Sequence, residues 1–150
     1  MDLILWRHAE AEDGYPDEAR PLTAKGKKQA LLASRWLAKR LPDRYTLLVS
    51  PAVRARETAA PLSTEGKVEG RIGPGARPGD LLEAAGWPGG EGTVVVVGHQ
   101  PTLGEAAGLL LSGKPLPLRV RKGALWWIRA RRRGSLWETT LLAVADPDFL

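Results

Sequence analysis

The chain has 150 residues, of which 43% are hydrophobic and 26% charged, a balance that predicts one globular domain spanning residues 1–150. It contains no cysteine, which excludes a disulfide framework, a thiolate zinc site and a cysteine nucleophile. The formal net charge of +5 suits a phosphate-bearing or acidic partner, although by charge alone a solvated basic surface is the simpler explanation.

The first third of the chain predicts a strand, a helix and a second strand. Residues 3–6 are a short apolar run typical of a buried strand. After a polar loop, Thr23 can cap a helix that we expect to run to about residue 41, because Pro42 disfavours its continuation. Residues 46–49 are the second predicted strand.

The next part of the chain predicts helix and loop. Ser50 and Pro51 are expected to begin a helix, with the serine as cap and the proline at the first helical position, and the helix should end near residue 63. Residues 64–79 are rich in Gly and Pro, and a short edge strand is expected at residues 68–72.

The clearest strand lies in the second half, at residues 93–97, where four consecutive valines follow a threonine. A short helix is predicted before it, at residues 80–85. After it, Pro101 should open a helix that ends by Gly113. The uninterrupted apolar character of the strand is typical of the centre of a parallel sheet.

The C-terminal part predicts a β-hairpin. Residues 124–130 and 136–143 are the two expected strands, and residues 131–134 are the expected turn. Alternation of strands and helices followed by a hairpin predicts a three-layer α/β/α domain with a mostly parallel central sheet.

Both histidines of the chain directly follow a predicted strand. His8 comes after the first strand with Arg7 before it, and His99 comes after the strand at residues 93–97. Arg54 lies one turn into the helix that follows the second strand. Because ligands of open α/β sheets bind outside the carboxyl ends of the strands, we expect these four side chains to share one site.

Two arginines and two histidines without a thiol favour phosphoryl chemistry. Guanidinium groups match phosphate oxygens with paired hydrogen bonds and keep their charge. One neutral imidazole can attack phosphorus, and the other, protonated by the bound anion, can donate to the phosphoryl oxygens. We predict no cofactor and no metal, since two arginines at one edge would repel a cation. A single histidine at a strand end is more often structural than functional, and a single arginine there could simply pair with Glu10 or Glu12, so the prediction depends on their joint placement.

Four segments carry a family resemblance. They are LWRHAEA at residues 5–11, RPLTAKG at 20–26, SPAVRARETA at 50–59 and VGHQP at 97–101. In order and spacing they resemble the motifs of the histidine phosphatase superfamily (phosphoglycerate mutase-like), over residues 3 to about 111. The small size and the IGPGA segment at 72–76 look most like the SixA-type phosphohistidine phosphatases of bacteria. The resemblance implies that His8 is the phosphorylated nucleophile and that Arg7, Arg54 and His99 form the phosphate pocket.

The chain departs from the family pattern in two ways. Ala9 replaces the usual glycine after the first histidine, and alanine disfavours a positive φ. The long insertion that carries the acidic proton donor in phosphoglycerate mutases is missing between Thr58 and Thr93. The nearest acids in sequence are Glu10, Glu12 and Asp13, and none of them is assigned the role of proton donor.

The favoured function is hydrolysis of a phosphohistidine protein through phospho-His8. The alternatives are a small-molecule phosphomonoesterase, a mutase-like enzyme, which the missing insertion disfavours, and a non-enzymatic phosphate-binding module. In that module Trp126, Trp127 and Trp137 would stack on a nucleic acid. Strand tryptophans more often pack in a core, so a nucleic-acid partner is disfavoured.

Charge and targeting signals complete the prediction. Residues 106–137 contain eight Lys or Arg and no Asp or Glu, which would favour an acidic protein substrate if they flank the site. The N-terminal residues resemble neither a signal peptide nor a membrane span, so we expect a cytoplasmic protein without a membrane partner.

Overall fold

A six-stranded sheet forms the centre of the structure, a computed structural model that describes residues 1–150. The strands are β1 (Asp2–Arg7), β2 (Thr46–Val49), β3 (Lys67–Val68), β4 (Thr93–Gly98), β5 (Leu125–Arg133) and β6 (Leu136–Ala145). Their order across the sheet is β3-β2-β4-β1-β5-β6. The first four are parallel, whereas β5 and β6 add an antiparallel hairpin to β1.

Helices cover both faces of this sheet, which confirms the predicted three-layer α/β/α fold. The helices are α1 (Ala24–Ala38), α2 (Val53–Ala59), α3 (Pro78–Ala85) and α4 (Thr102–Ser112). Successive side chains of β1 point to opposite faces. Ile4 therefore packs among residues of α1 and α2, while Leu5 packs among residues of α3 and α4. None of the four helices combines the length and apolar character needed to cross a bilayer.

The loop after β1 is held against the start of α1. The Thr23 hydroxyl accepts a hydrogen bond from the Gly26 amide (2.9 Å), as expected for a helix cap, and the Thr23 amide donates to the Glu10 carbonyl (3.0 Å). A Cβ on Gly26 would overlap that carbonyl oxygen, so this position requires glycine. The contact fixes the segment that follows His8.

Several predicted boundaries were wrong. Helix α1 ends at Ala38 rather than near residue 41, and α2 is confined to Val53–Ala59. Ser50 does not cap α2 as expected, because its hydroxyl hydrogen-bonds to His99 and accepts from the Ala52 amide. Helix α3 begins two residues earlier than predicted, at Pro78.

The predicted edge strand at residues 68–72 was also only partly correct, since β3 is confined to Lys67–Val68 and Gly70–Ile72 forms a short 3-10 turn. In the hairpin, the expected turn at residues 131–134 was wrong. Strand β5 continues to Arg133, which pairs with Leu136, and the chain reverses at Gly134, whose φ is +59°. Residues 131–133 pair with β6, and this pairing keeps the arginines in the strand.

Candidate active site

The carboxyl ends of β1, β2 and β4 bring the predicted residues together. Arg7 is the last residue of β1 and pairs with Gly98 at the end of β4, so the next residues, His8 and His99, become neighbours. Their ring centroids are 5.1 Å apart and the rings are inclined by 51°. Arg54, in the first turn of α2, extends its side chain into the same pocket.

This pocket, which we call the catalytic pocket, has a volume of about 280 Å³ and a mostly polar lining. Its lining residues are Arg7, His8, Ala11, Asp13, Arg20, Arg54, Pro74, Gly75, His99, Gln100 and Lys122. Its three arginines and Lys122 outnumber the single lining carboxylate, Asp13, so the pocket favours an anion. No group of three or more potential His, Asp or Glu ligands is placed to hold a metal ion.

The tautomer of His8 follows from its single hydrogen bond. Nδ1 lies 2.7 Å from the Ala9 carbonyl oxygen, which can only accept, so Nδ1 carries the proton and Nε2 carries the lone pair. Burial lowers the pKa of His8 from 6.5 to about 4. The bond to Ala9 opposes this shift, and the charge of Arg54 adds to it. At neutral pH, His8 is therefore uncharged with Nε2 available as a nucleophile.

Ala9, which stands where the family usually has glycine, causes no backbone strain. No residue other than glycine has a positive φ, and Ala9 is fully buried. Its amide donates to the Thr58 hydroxyl (2.9 Å), which in turn donates to the Arg54 carbonyl (2.7 Å). Ala9 thereby ties the His8 segment to α2.

The second imidazole is oriented by a serine. Nε2 of His99 lies 2.7 Å from the Ser50 hydroxyl, which also accepts from the Ala52 amide (3.2 Å). The hydroxyl has no other acceptor for its proton within hydrogen-bond distance, so it donates to Nε2, and Nδ1 of His99 carries the hydrogen. Burial, and then the charges of His8 and Arg54, lower the pKa of His99 to about 3. In the free pocket, His99 is a neutral donor.

Arg54 is held by a residue that the sequence did not indicate. Its guanidinium is 4% exposed and donates to the Asp17 carbonyl (2.9 Å) and carboxylate (3.1 Å). The other oxygen of the Asp17 carboxylate accepts from Arg20 (3.0 Å). Burial opposes ionisation of Asp17, but the bonds from Arg20 and Arg54 outweigh it and lower the pKa of the carboxyl. Asp17 therefore sets the positions of two pocket arginines.

Three buried donors of the pocket residues have no hydrogen-bond partner in the protein. They are Nε of Arg7, Nε of Arg54 and Nδ1 of His99. Arg7 is fixed by a bond from its Nη1 to the Val120 carbonyl (3.1 Å). Buried polar groups without partners are uncommon, and three in one basic pocket are typical of a site built to bind an anion.

Of the three acids near His8, only Asp13 borders the catalytic pocket. Glu10 accepts from the Thr23 hydroxyl (2.8 Å) and faces a neighbouring pocket. Glu12 is exposed and lines neither pocket. Arg20, Gln100 and Lys122 are pocket residues that the sequence prediction missed.

The three tryptophans considered as a stacking platform do not form one surface. Trp126 packs against the α3–α4 face of the sheet, and Trp127 belongs to the core on the α1–α2 face. Trp137 lies on the exposed part of the hairpin, under the guanidinium of Arg132. Trp126 and Trp127 therefore pack in the core, as the alternative interpretation expected.

Comparisons with known proteins identify relatives of this chain. The family model of the histidine phosphatase superfamily (branch 1) matches residues 3–77. A phosphohistidine phosphatase SixA homolog of Haemophilus influenzae is 37% identical over 139 residues, covering 79% of this chain and 81% of that protein. An uncharacterized protein of Mycobacterium tuberculosis, Rv1276c, is 38% identical over 111 residues, or 71% of this chain and 70% of its own.

Solved structures share the same fold. The structure of the protein histidine phosphatase SixA complexed with tungstate superposes with a TM-score of 0.81 at 24% identity, covering 99% of both chains. A putative phosphohistidine phosphatase SixA from Nakamurella multipartitia gives a TM-score of 0.69 at 31% identity, covering 85% of this chain and 83% of that one. The fold agreement thus extends beyond the segment that the family model matches.

Proposed function

Because the chain belongs to the histidine phosphatase superfamily and is a phosphatase, we propose that His8 is its nucleophile and that it hydrolyses phosphohistidine in a protein. Arg7, Arg54 and His99 would form the phosphate-binding set. The proposal is supported by the Haemophilus influenzae relative, which is named as a homolog of the phosphohistidine phosphatase SixA. A cytoplasmic location stays a prediction.

The observation that carries the proposal is the placement of two neutral imidazoles between arginines. The rings of His8 and His99 are 5.1 Å apart in a pocket that Arg7, Arg20 and Arg54 also line. Binding of phosphate alone would need only the cationic groups. A buried, uncharged His8 with a free Nε2 is what attack on phosphorus requires.

In the first step the arginines bind the phosphoryl oxygens and Nε2 of His8 attacks phosphorus. The bond from phosphorus to the leaving group breaks as the bond from Nε2 to phosphorus forms. Nδ1 of His99 donates to a phosphoryl oxygen as charge moves in the transition state, and Ser50 holds that ring in position. The bond from Nδ1 of His8 to Ala9 stabilises the positive charge that the attacking ring acquires.

In the second step water attacks the phosphorus of phospho-His8. The bond from Nε2 to phosphorus breaks and its electron pair returns to the ring, which regenerates neutral His8. The proton lost by water leaves with phosphate or passes to solvent through the open side of the pocket. The same arginines bind the phosphoryl group in both steps, so one pocket serves the whole cycle.

The proposed substrate class depends on whether the leaving group needs a proton donor from the enzyme. An alkoxide is a strong base and requires a placed acid, which is typically worth about 10²–10⁴-fold in rate. A phosphorylated imidazole can be protonated near neutral pH before it leaves, so it needs no strong acid from the enzyme. Asp13 is the only carboxylate that lines the catalytic pocket, and it is exposed, while the Asp17 carboxylate is bound by Arg20 and Arg54. These features favour phosphohistidine over alkyl phosphates.

A substrate comparison tests this assignment. We expect kcat/KM to be highest for phosphohistidine, lower for an aryl phosphate and lowest for phosphoglycerate and a sugar phosphate. The Asp13→Asn variant is the matched control, and it should leave the order of the four substrates unchanged. A wild-type preference for an alkyl monoester that Asp13→Asn abolishes would instead establish a small-molecule phosphomonoesterase with Asp13 as its acid.

A further inference from the structure

The loop between α4 and β5 passes directly beside His8. The Val120 carbonyl accepts from Arg7 (3.1 Å), and the Gly123 amide donates to the His8 carbonyl (3.2 Å). These bonds fix the backbone of this loop at the catalytic pocket. Arg119 and Lys122, on either side of Val120, are exposed, and Lys122 lines the catalytic pocket. Burial lowers the pKa of Arg7, and the positive charge of Arg119 lowers it further.

A second, smaller pocket of about 170 Å³ adjoins the catalytic pocket and shares Lys122 with it. Its lining contains no hydrophobic residue. Lys25 and Arg119 add to its positive charge, and the Glu10 carboxylate, which accepts from the Thr23 hydroxyl, contributes a negative one. Arg121 also borders it, but Asp146 and Asp148 bind that guanidinium at 2.8 Å and 2.7 Å. Lys25, Arg119 and Lys122, which we call the basic rim, form no ion pair.

Four other arginines of the segment 106–137, Arg129 and Arg131–Arg133, lie in the part of β5 that is farthest from the catalytic pocket. Leu125 pairs with Trp6 near the catalytic pocket, whereas Arg129 pairs with Asp2 at the amino end of β1 and binds its carboxylate. Arg131–Arg133 continue past that end, about 20–26 Å along the strand from Leu125 at 3.3 Å per residue. Of the basic residues in the segment 106–137, only Arg119, Arg121 and Lys122 flank the site.

We propose that the basic rim binds acidic side chains of a protein substrate while the catalytic pocket holds that protein's phosphohistidine. This inference rests on the proposed function. Unpaired exposed cations attract carboxylates over a distance of about 10 Å at moderate salt, so they act on a large acidic partner. Lys25 and Arg119 line the smaller pocket and not the catalytic pocket, so we expect them to affect a small aryl phosphate less than an acidic protein. The basic rim thus selects among phosphorylated substrates by their charge.

Two synthetic phosphohistidine peptides test the proposal, one flanked by glutamates and the other by glutamines. We expect wild-type kcat/KM to be about fivefold higher for the acidic peptide at about 0.1 M ionic strength, and the ratio to fall at about 0.5 M. The double variant Lys25→Ser/Arg119→Ser should bring the ratio to within about twofold of one. Its kcat/KM for p-nitrophenyl phosphate should fall by a smaller factor than its kcat/KM for the acidic peptide.

The variant Arg131→Ser/Arg132→Ser is the matched control, because it removes the same charge from the far end of the sheet. It should keep the wild-type preference. Equal turnover of both peptides by the wild type, or the same loss of preference in both double variants, would refute the proposed role of the basic rim. Neither result would refute the proposed phosphohistidine phosphatase function. Hydrolysis of p-nitrophenyl phosphate without hydrolysis of either peptide overturns the proposed function and the basic rim together.

Discussion

The hydroxyl of Ser50 lies 2.7 Å from Nε2 of His99, and both side chains are buried at the carboxyl ends of neighbouring strands. This contact leaves Nδ1 of His99 as a proton donor without a partner in the protein. The orientation of the second histidine therefore depends on a residue that does not line the catalytic pocket.

Ser50→Ala is expected to lower kcat about fivefold, because loss of one hydrogen bond worth about 1 kcal/mol frees the ring and its tautomer. KM should change less, since the arginines still bind phosphate. Ser34→Ala is the control, as Ser34 is buried in α1 and its hydroxyl has no hydrogen-bond partner. Steady-state kinetics that show equal effects of both variants would contradict the positioning role of Ser50.

His8→Ala is expected to abolish turnover and to eliminate a covalent phosphoenzyme. Phosphohistidine is labile in acid and stable in alkali, so rapid quenching into base preserves it for mass spectrometry. With only two histidines in the chain, the modified site is unambiguous. We expect the phosphoryl group on His8 in the wild type and in Ser50→Ala. Phosphate on His99, or activity of His8→Ala within a few-fold of wild type, would refute the mechanism.

Arg54→Ala is expected to reduce kcat/KM by two or more orders of magnitude, since a charge-assisted bidentate contact to phosphate is lost. Arg56→Ala should stay within about threefold of wild type. The two side chains are about 200° apart on α2, and Arg56 borders a separate groove with Val49 and Ala59. Michaelis–Menten parameters of the two variants decide the comparison, and a larger defect in Arg56→Ala would be incompatible with this pocket.

The folded protein is expected to lose stability as the pH falls from 6.5 toward 4. The pKa values of His8 and His99 are lowered to about 4 and about 3, so over this window the unfolded chain binds more protons than the folded one. Each histidine then costs on the order of 1–2 kcal/mol at pH 5 relative to pH 7.5.

Urea unfolding of the wild type and of the double variant His8→Gln/His99→Gln at both pH values measures this effect. Carboxylates titrate equally in the two proteins, so the difference isolates the histidines. We expect the variant to lose less stability on acidification. The same pH dependence in both proteins would mean that neither imidazole has its pKa lowered by the fold.

Residues at strand ends were predictable from sequence, and residues that reach the site across loops were not. Arg7, His8 and His99 follow apolar runs whose length fixes where each strand stops. Arg20 and Lys122 come from irregular segments, where no periodicity indicates the direction of a side chain. Arg20 did have a signal, since it begins one of the segments that resemble the family.

The hairpin turn illustrates a different limit. Three successive arginines before Gly134 suggested a polar turn, but their aliphatic stems permit a strand. Arg132 lies over the Trp137 ring (5.6 Å), and Arg133 pairs with Glu138 (3.1 Å). Cross-strand contacts decided the boundary, and these depend on the register of a partner strand that local composition does not reveal.

The turn of that hairpin is also a suitable position for attaching a label or inserting another domain. Gly134 and Ser135 lie beyond the amino end of β1, whereas the phosphate chemistry takes place at the carboxyl end. A fluorophore, an affinity peptide or a whole reporter domain inserted between these two residues would extend away from the pocket. The protein can therefore be tethered to a surface by this turn with its substrate-binding side facing solution.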